Sequence, residues 1–171
     1  MHVSKRSKVT LALMALALGV HTTATAAAEA AKGKAQAAVQ SGSAVGDLTI
    51  SGKTVHLTSA TTFHNDKALV LLLTDQAVPA AGWKNAGDEV MYLMSGHKFN
   101  GVEFYLDEQR HVTATNYLTG EPPTGANTLF ELKLDPPAGN ALTGSAHSTP
   151  FGENQSNAHV KLNVRFNAPV R

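Results

Sequence analysis

The chain has 171 residues, no cysteine, and 14 Lys and Arg against 13 Asp and Glu. A balance this close to neutral, with no basic stripe, argues against a nucleic-acid partner. Without cysteine there is no disulfide framework, so a folded domain must be held by its core.

The first stretch has the layout of an export signal. Positive charge comes first (His2, Lys5, Arg6, Lys8), then an uncharged apolar run from Val9 to Val20, then small residues. That run is well short of the roughly 20 residues that span a bilayer as a helix, and no later run approaches that length, so no transmembrane segment is expected in the mature protein. Cleavage after Ala24-Thr25-Ala26 or Ala26-Ala27-Ala28 would start the mature chain at Ala27 or Glu29. Both sites remain open. The expected organisation is a signal peptide over 1–26, a flexible Ala/Gly/Ser-rich spacer over 27–45, and one domain over 46–171. The expected destination is the periplasm or the medium.

From Asp47 onward, period-two alternation dominates. Leu48 and Ile50, then Val55 and Leu57, flank Ser51-Gly52 as a β-hairpin would. Ala68 to Thr74 (ALVLLLT) is continuously apolar, as in a strand covered on both faces. Between Ala86 and Ser95, Val90, Leu93 and Met94 fall at helical spacing, with Asp88 and Glu89 suited to a helix start and Gly96 to its C-terminal cap. This predicts one short helix whose apolar face includes Met94.

Val102, Phe104 and Leu106 alternate with Glu103 and Tyr105, and after Glu108-Gln109-Arg110 the chain returns from His111 to Leu118, a second hairpin. Thr128 to Asp135 alternates and is stopped by Pro136-Pro137. Ala141 to His147 is a weaker strand. In the last strand Val160, Leu162, Val164 and Phe166 share one face, with His159, Lys161, Asn163 and Arg165 on the other. About eight strands, one helix and no βαβ alternation predict an all-β fold: an antiparallel β-sandwich, or alternatively a partly open barrel. The long connections 75–99 and 119–127 favour the sandwich, because they could cross between sheets.

Three stretches, GDLTISGKTVHLTSATTF (Gly46 to Phe63), GVEFYLDEQRHV (Gly101 to Val112) and VKLNVRFNAP (Val160 to Pro169), resemble small uncharacterised secreted domains of Gram-negative bacteria. The resemblance implies a secreted β-rich domain and brings no activity with it.

Six histidines remain after processing, and imidazole is the commonest transition-metal ligand. His56, His111 and His159, helped by His97, are the candidate ligands of a zinc or copper site assembled from separate strands, although no H-x-H, H-x3-H or H-E-x-x-H spacing announces one. The opposing reading leaves them solvated on strand faces and in turns, with no cofactor. Met91, Met94 and His97 match a soft-ligand pattern for monovalent copper. Core packing of Met94 competes with that reading. Trp83, the only tryptophan, is either a lid over the open end of the core or an exposed platform for a sugar or peptide. No G-x-S-x-G elbow and no cysteine supports nucleophilic catalysis, and Asp88 with Glu89 reads as a helix start rather than an acid pair. The expected function is a non-catalytic envelope domain with an envelope protein or glycan as partner, the alternative being a periplasmic metal-binding protein.

Overall fold

A computed structural model describes residues 38–120, 124–126, 129–150 and 159–170. The expected export signal and most of the expected spacer lie outside them. The strands are β1 (Ser43–Ile50), β2 (Lys53–Asn65), β3 (Ala68–Thr74), β4 (Asn100–Leu106), β5 (Val112–Thr119), β6 (Thr124–Gly125), β7 (Phe130–Leu134), β8 (Ala141–Ser148) and β9 (Lys161–Pro169). Between β3 and β4 lie a 3-10 turn (Ala80–Gly82) and the helix α1 (Ala86–Met94). The sequence places these elements well, with the continuous apolar run matching β3 end to end. β1 begins inside the expected spacer, so Ser43, Ala44 and Val45 are strand.

All nine strands form one antiparallel sheet in the order β6-β5-β4-β3-β2-β1-β9-β8-β7. The fold is all-β, and of the two expected architectures the partly open barrel describes it. The sheet is curled into a half-barrel, and the connection between β3 and β4 covers its outer face rather than crossing to a second sheet. Because every pair is antiparallel, the edge strands β6 and β7 run in the same direction. β7 therefore carries on from β6, the first paired with β8 and the second with β5.

The inner face packs against itself. Leu48, Leu57, Leu71, Leu73, Phe104, Leu106, Leu162, Val164 and Phe166 are its largest buried members. Phe104 of β4 meets Phe130 of β7 edge to face, 6.5 Å between ring centroids, across the open side. Inside the curl, Thr62 donates from its hydroxyl to the Pro169 carbonyl at 2.8 Å.

Two strand glycines permit the tightest approaches. A Cβ on Gly46 would lie 2.1 Å from the Asn163 carbonyl oxygen, and one on Gly144 would lie 2.2 Å from that of Lys133. No side chain fits at either place, which is how strands bend sharply where a barrel turns.

A second, smaller core lies on the outer face of β2 to β5. Phe63, Val70, Leu72, Phe99 and Leu118 are roofed there by Ala80 and by Leu93 of α1. Asn85 caps the helix by accepting from the Gly87 N–H at 2.7 Å. The buried side of α1 differs from the one expected: Glu89 and Leu93 face the sheet, while Met94 is 73% and Met91 62% exposed. Residues 89 and 93 are one turn apart and define the inward stripe, which leaves Met94 on the far side of the helix.

In β9 the expected alternation holds, with Val160, Leu162, Val164 and Phe166 buried and Asn163 exposed. Phe166→Ala should therefore cost about 3–5 kcal/mol through lost burial and a cavity. Asn163→Ala should change stability by about half a kcal/mol or less. Urea melts of the mature chain check this, and equal losses at the two positions would contradict the half-buried strand.

Candidate functional site

Two places concentrate chemistry: the mouth of the half-barrel and the underside of α1. At the mouth, the β4–β5 turn, the loop between β7 and β8, and the end of β9 enclose a cleft of about 280 Å³. Its wall is mostly apolar, from Leu134, Pro137, Ala141, Leu142 and Val170, and its rim carries Arg110 and Asp135. The β4–β5 turn is held by one carboxylate. Asp107 Oδ1 accepts from the N–H of Gln109 at 2.9 Å and of His111 at 2.8 Å. The His111 hydrogen bond, with the nearby imidazole, holds this carboxyl below the usual Asp range. Arg110 adopts a left-handed backbone with φ of 68° within that turn, a conformation costly for a side-chain-bearing residue. Asn140 closes the loop by donating from Nδ2 to the Val170 carbonyl at 2.6 Å.

Under α1, two carboxyl groups meet. Glu89 from the helix and Glu103 from β4 are both 0% exposed. Glu103 accepts from Asn116 Nδ2 at 3.0 Å through one oxygen, while its other oxygen and both oxygens of Glu89 receive no donor. The Glu103 carboxyl is the charged neighbour of Glu89. Two buried carboxyls this near each other, with three of their four oxygens unpartnered, are satisfied together when one proton is shared between them. Burial first, and then the hydrogen bond and charge of Glu103, push the Glu89 carboxyl far above the usual carboxylate range. Tyr105 lies beside the pair, and burial with the charges of Glu103 and Glu89 raises its phenol as well. Among the described residues neither carboxyl has a cationic partner.

Asp88 performs the helix-start role by accepting from the Lys84 N–H at 2.6 Å. Glu89, expected in the same role, is turned onto the sheet instead, because at one residue further it falls on the inward stripe with Leu93.

The candidate histidines are dispersed. His56 pairs across the strands with Asp47, Nδ1 to Oδ1 2.5 Å, on an exposed face. His111 sits 3.3 Å from Asp107 in the β4–β5 turn. His159 is exposed ahead of β9 with φ of 44°. His97 stacks on Tyr92, 4.1 Å between ring centroids with planes 4° apart. Among the described residues, no group of three His, Asp or Glu side chains is close enough to hold a metal ion. The Met91, Met94 and His97 pattern is also pulled apart. At about 100° per residue, Tyr92 and the imidazole stacked on it lie on a different side of α1 from Met94.

Trp83 packs edge to face on Phe63 at 5.3 Å and against Tyr92 at 5.8 Å, half-buried over the second core. Ser95 and Lys98 have an S-x-x-K spacing, but the Ser95 hydroxyl donates to the Met91 carbonyl at 2.7 Å and serves the helix end. The acid pair is what sequence reasoning missed. A usable sign was the continuous apolar run of β3, since a strand buried on both faces implies a roof over its neighbours' outward residues.

Comparison with protein-family models, curated proteins and solved structures finds no match for this chain. Untagged mature protein loaded with zinc and then desalted is expected to retain less than about a tenth of an equivalent by elemental analysis, since a real three-histidine site would fill. Stoichiometric retention would show that the histidines converge after all.

Proposed function

We propose that this chain is an exported, non-catalytic binding domain of the bacterial envelope, and that its ligand site is the cleft at the barrel mouth. The cleft carries the reading. Its volume of about 280 Å³ is near the lower end of the range for small-molecule pockets, and its apolar wall with a few polar rim groups is the usual composition of such sites. The ligand class that fits has a compact apolar body for Leu134, Leu142 and Val170 and a polar head within reach of Arg110, as an envelope amphiphile or an acylated glycan has. Export is supported by the charged, apolar and small-residue layout of the first 26 residues. Membership of the Gram-negative secreted domains rests on the three stretches of sequence alone.

Ala141→Trp, at the half-buried start of β8, would fill the cleft while leaving the inward stripe of that strand intact. Native mass spectrometry of the mature protein released gently from the periplasm should show a small-molecule adduct on the wild type that is lost from Ala141→Trp. An adduct kept by the variant would place the ligand elsewhere, and an adduct-free wild type that also fails to bind envelope lipid extract would remove the cleft from the account.

A further inference from the structure

We propose that Glu89 and Glu103 form a proton-sharing latch that clamps α1 to the outer face of the sheet, and that loss of the shared proton as pH rises releases the helix. The proposal is independent of the cleft and begins with the placement of the two groups. One sits on α1 and the other on β4, both fully buried, so the contact between them joins the two elements directly. Apart from it, α1 is attached through Leu93, half-buried Tyr92 and a hydrogen bond from the Ala86 N–H to Asn65 Oδ1 at 3.1 Å, a small set of contacts for a nine-residue helix.

The surroundings offer nothing to replace the proton. From β4 the pair is faced by Tyr105, whose phenol lies beside Glu103, and from β5 by the neutral amide of Asn116, which donates to Glu103. Leu72 on β3, next to Glu103 in register, is apolar. Past the helix end, the His97 imidazole is stacked on the ring of Tyr92. A second negative charge created here would have a like charge beside it and, among the described residues, no cation to offset it.

The sign follows from proton counting. In the unfolded chain both carboxyls ionise in the ordinary range near pH 4. In the docked state one remains protonated far above that, so the docked state holds more protons and docking weakens steadily as pH rises above the ordinary carboxylate range. It is strongest in acid and fails once the shared proton is lost in the alkaline range. For an exported domain, pH is that of the surroundings.

Trp83 reports on the event, since it packs on Phe63 of the sheet and on Tyr92 of the helix. Acrylamide quenching of Trp83 in the mature wild-type protein is expected to rise at least about twofold between about pH 5 and pH 11, a range that spans loss of a proton held up to about pH 10, with the far-UV strand spectrum unchanged, as for local opening. Glu89→Gln supplies an amide N–H in place of the proton and should abolish the pH dependence while keeping Trp83 protected. Constant quenching in the wild type would overturn the latch. So would a pH response that survives in Glu89→Gln, which would belong to His97, or loss of strand signal in step with quenching, which would mean global unfolding. The wild-type titration stands alone if the variant does not fold.

Discussion

A short link between the two ends of the sheet governs the rest of this structure. Nine strands about 4.8 Å apart would make a flat sheet nearly 40 Å wide, yet its two edge strands, β6 and β7, follow each other in the chain. From Gly125 to Phe130 the backbone can reach at most about 18 Å. Within that link the Leu129 N–H donates to the Ala126 carbonyl at 2.9 Å, which shortens it further. The sheet must curl until its edges meet. Curling puts the inner apolar face against itself, brings Phe104 onto Phe130, and demands bends that Gly46 and Gly144 allow.

The same curl creates the two places of interest. The interior is filled by leucine and phenylalanine, and at the mouth space survives where turns of different lengths fail to close the end. There the five-residue β4–β5 turn faces the longer loop before β8, and the cleft is the mismatch between them. On the outer side, β3 presents Val70 and Leu72 outward, and these would be exposed apolar surface without a roof. The connection between β3 and β4 supplies it with α1. Glu103 stands between those outward residues and the neighbouring strand, so roofing the leucine necessarily buries the carboxyl too.

Much of this could be read from the sequence. Alternation located the strands, and in β9 it separated Phe166 from Asn163 correctly, because a half-buried strand writes its two environments into alternate residues. Ser51-Gly52 marked a real hairpin turn, both residues having positive φ. Alternation could not say how many sheets the strands form. That depends on β9 pairing with β1, a contact between the two ends of the domain that no local pattern encodes. Nor does alternation distinguish a solvated outward face from a roofed one, as at Glu103 and Tyr105. Outward on β4 means under α1. At Met94 the error was one of phase: Val90, Leu93 and Met94 share a helical spacing, but Glu89 with Leu93 sets the inward stripe. A buried glutamate is the residue that hydrophobic periodicity is least able to place. The cleft was illegible for a further reason, since Arg110 and Leu142 are distant in sequence and meet only because the sheet closes.

The acid pair is hard to account for as a device for stability alone. A leucine at position 89 would extend the apolar stripe begun by Leu93 and would need no proton, and buried ionisable groups are often replaced by apolar ones at a gain of about 1–4 kcal/mol. Keeping two carboxyls there makes the attachment of α1 conditional on pH, whereas the inner core, whose nineteen buried members among the described residues are all apolar, is indifferent to it. Stability in this domain is thus divided by chemistry. The barrel is held by apolar packing that proton concentration does not touch, and the helix is held in part by a single proton. An element attached in that way can move while the cleft at the mouth, built wholly on the barrel, keeps its shape. Binding at the mouth and opening at α1 are therefore physically separable properties of one small sheet.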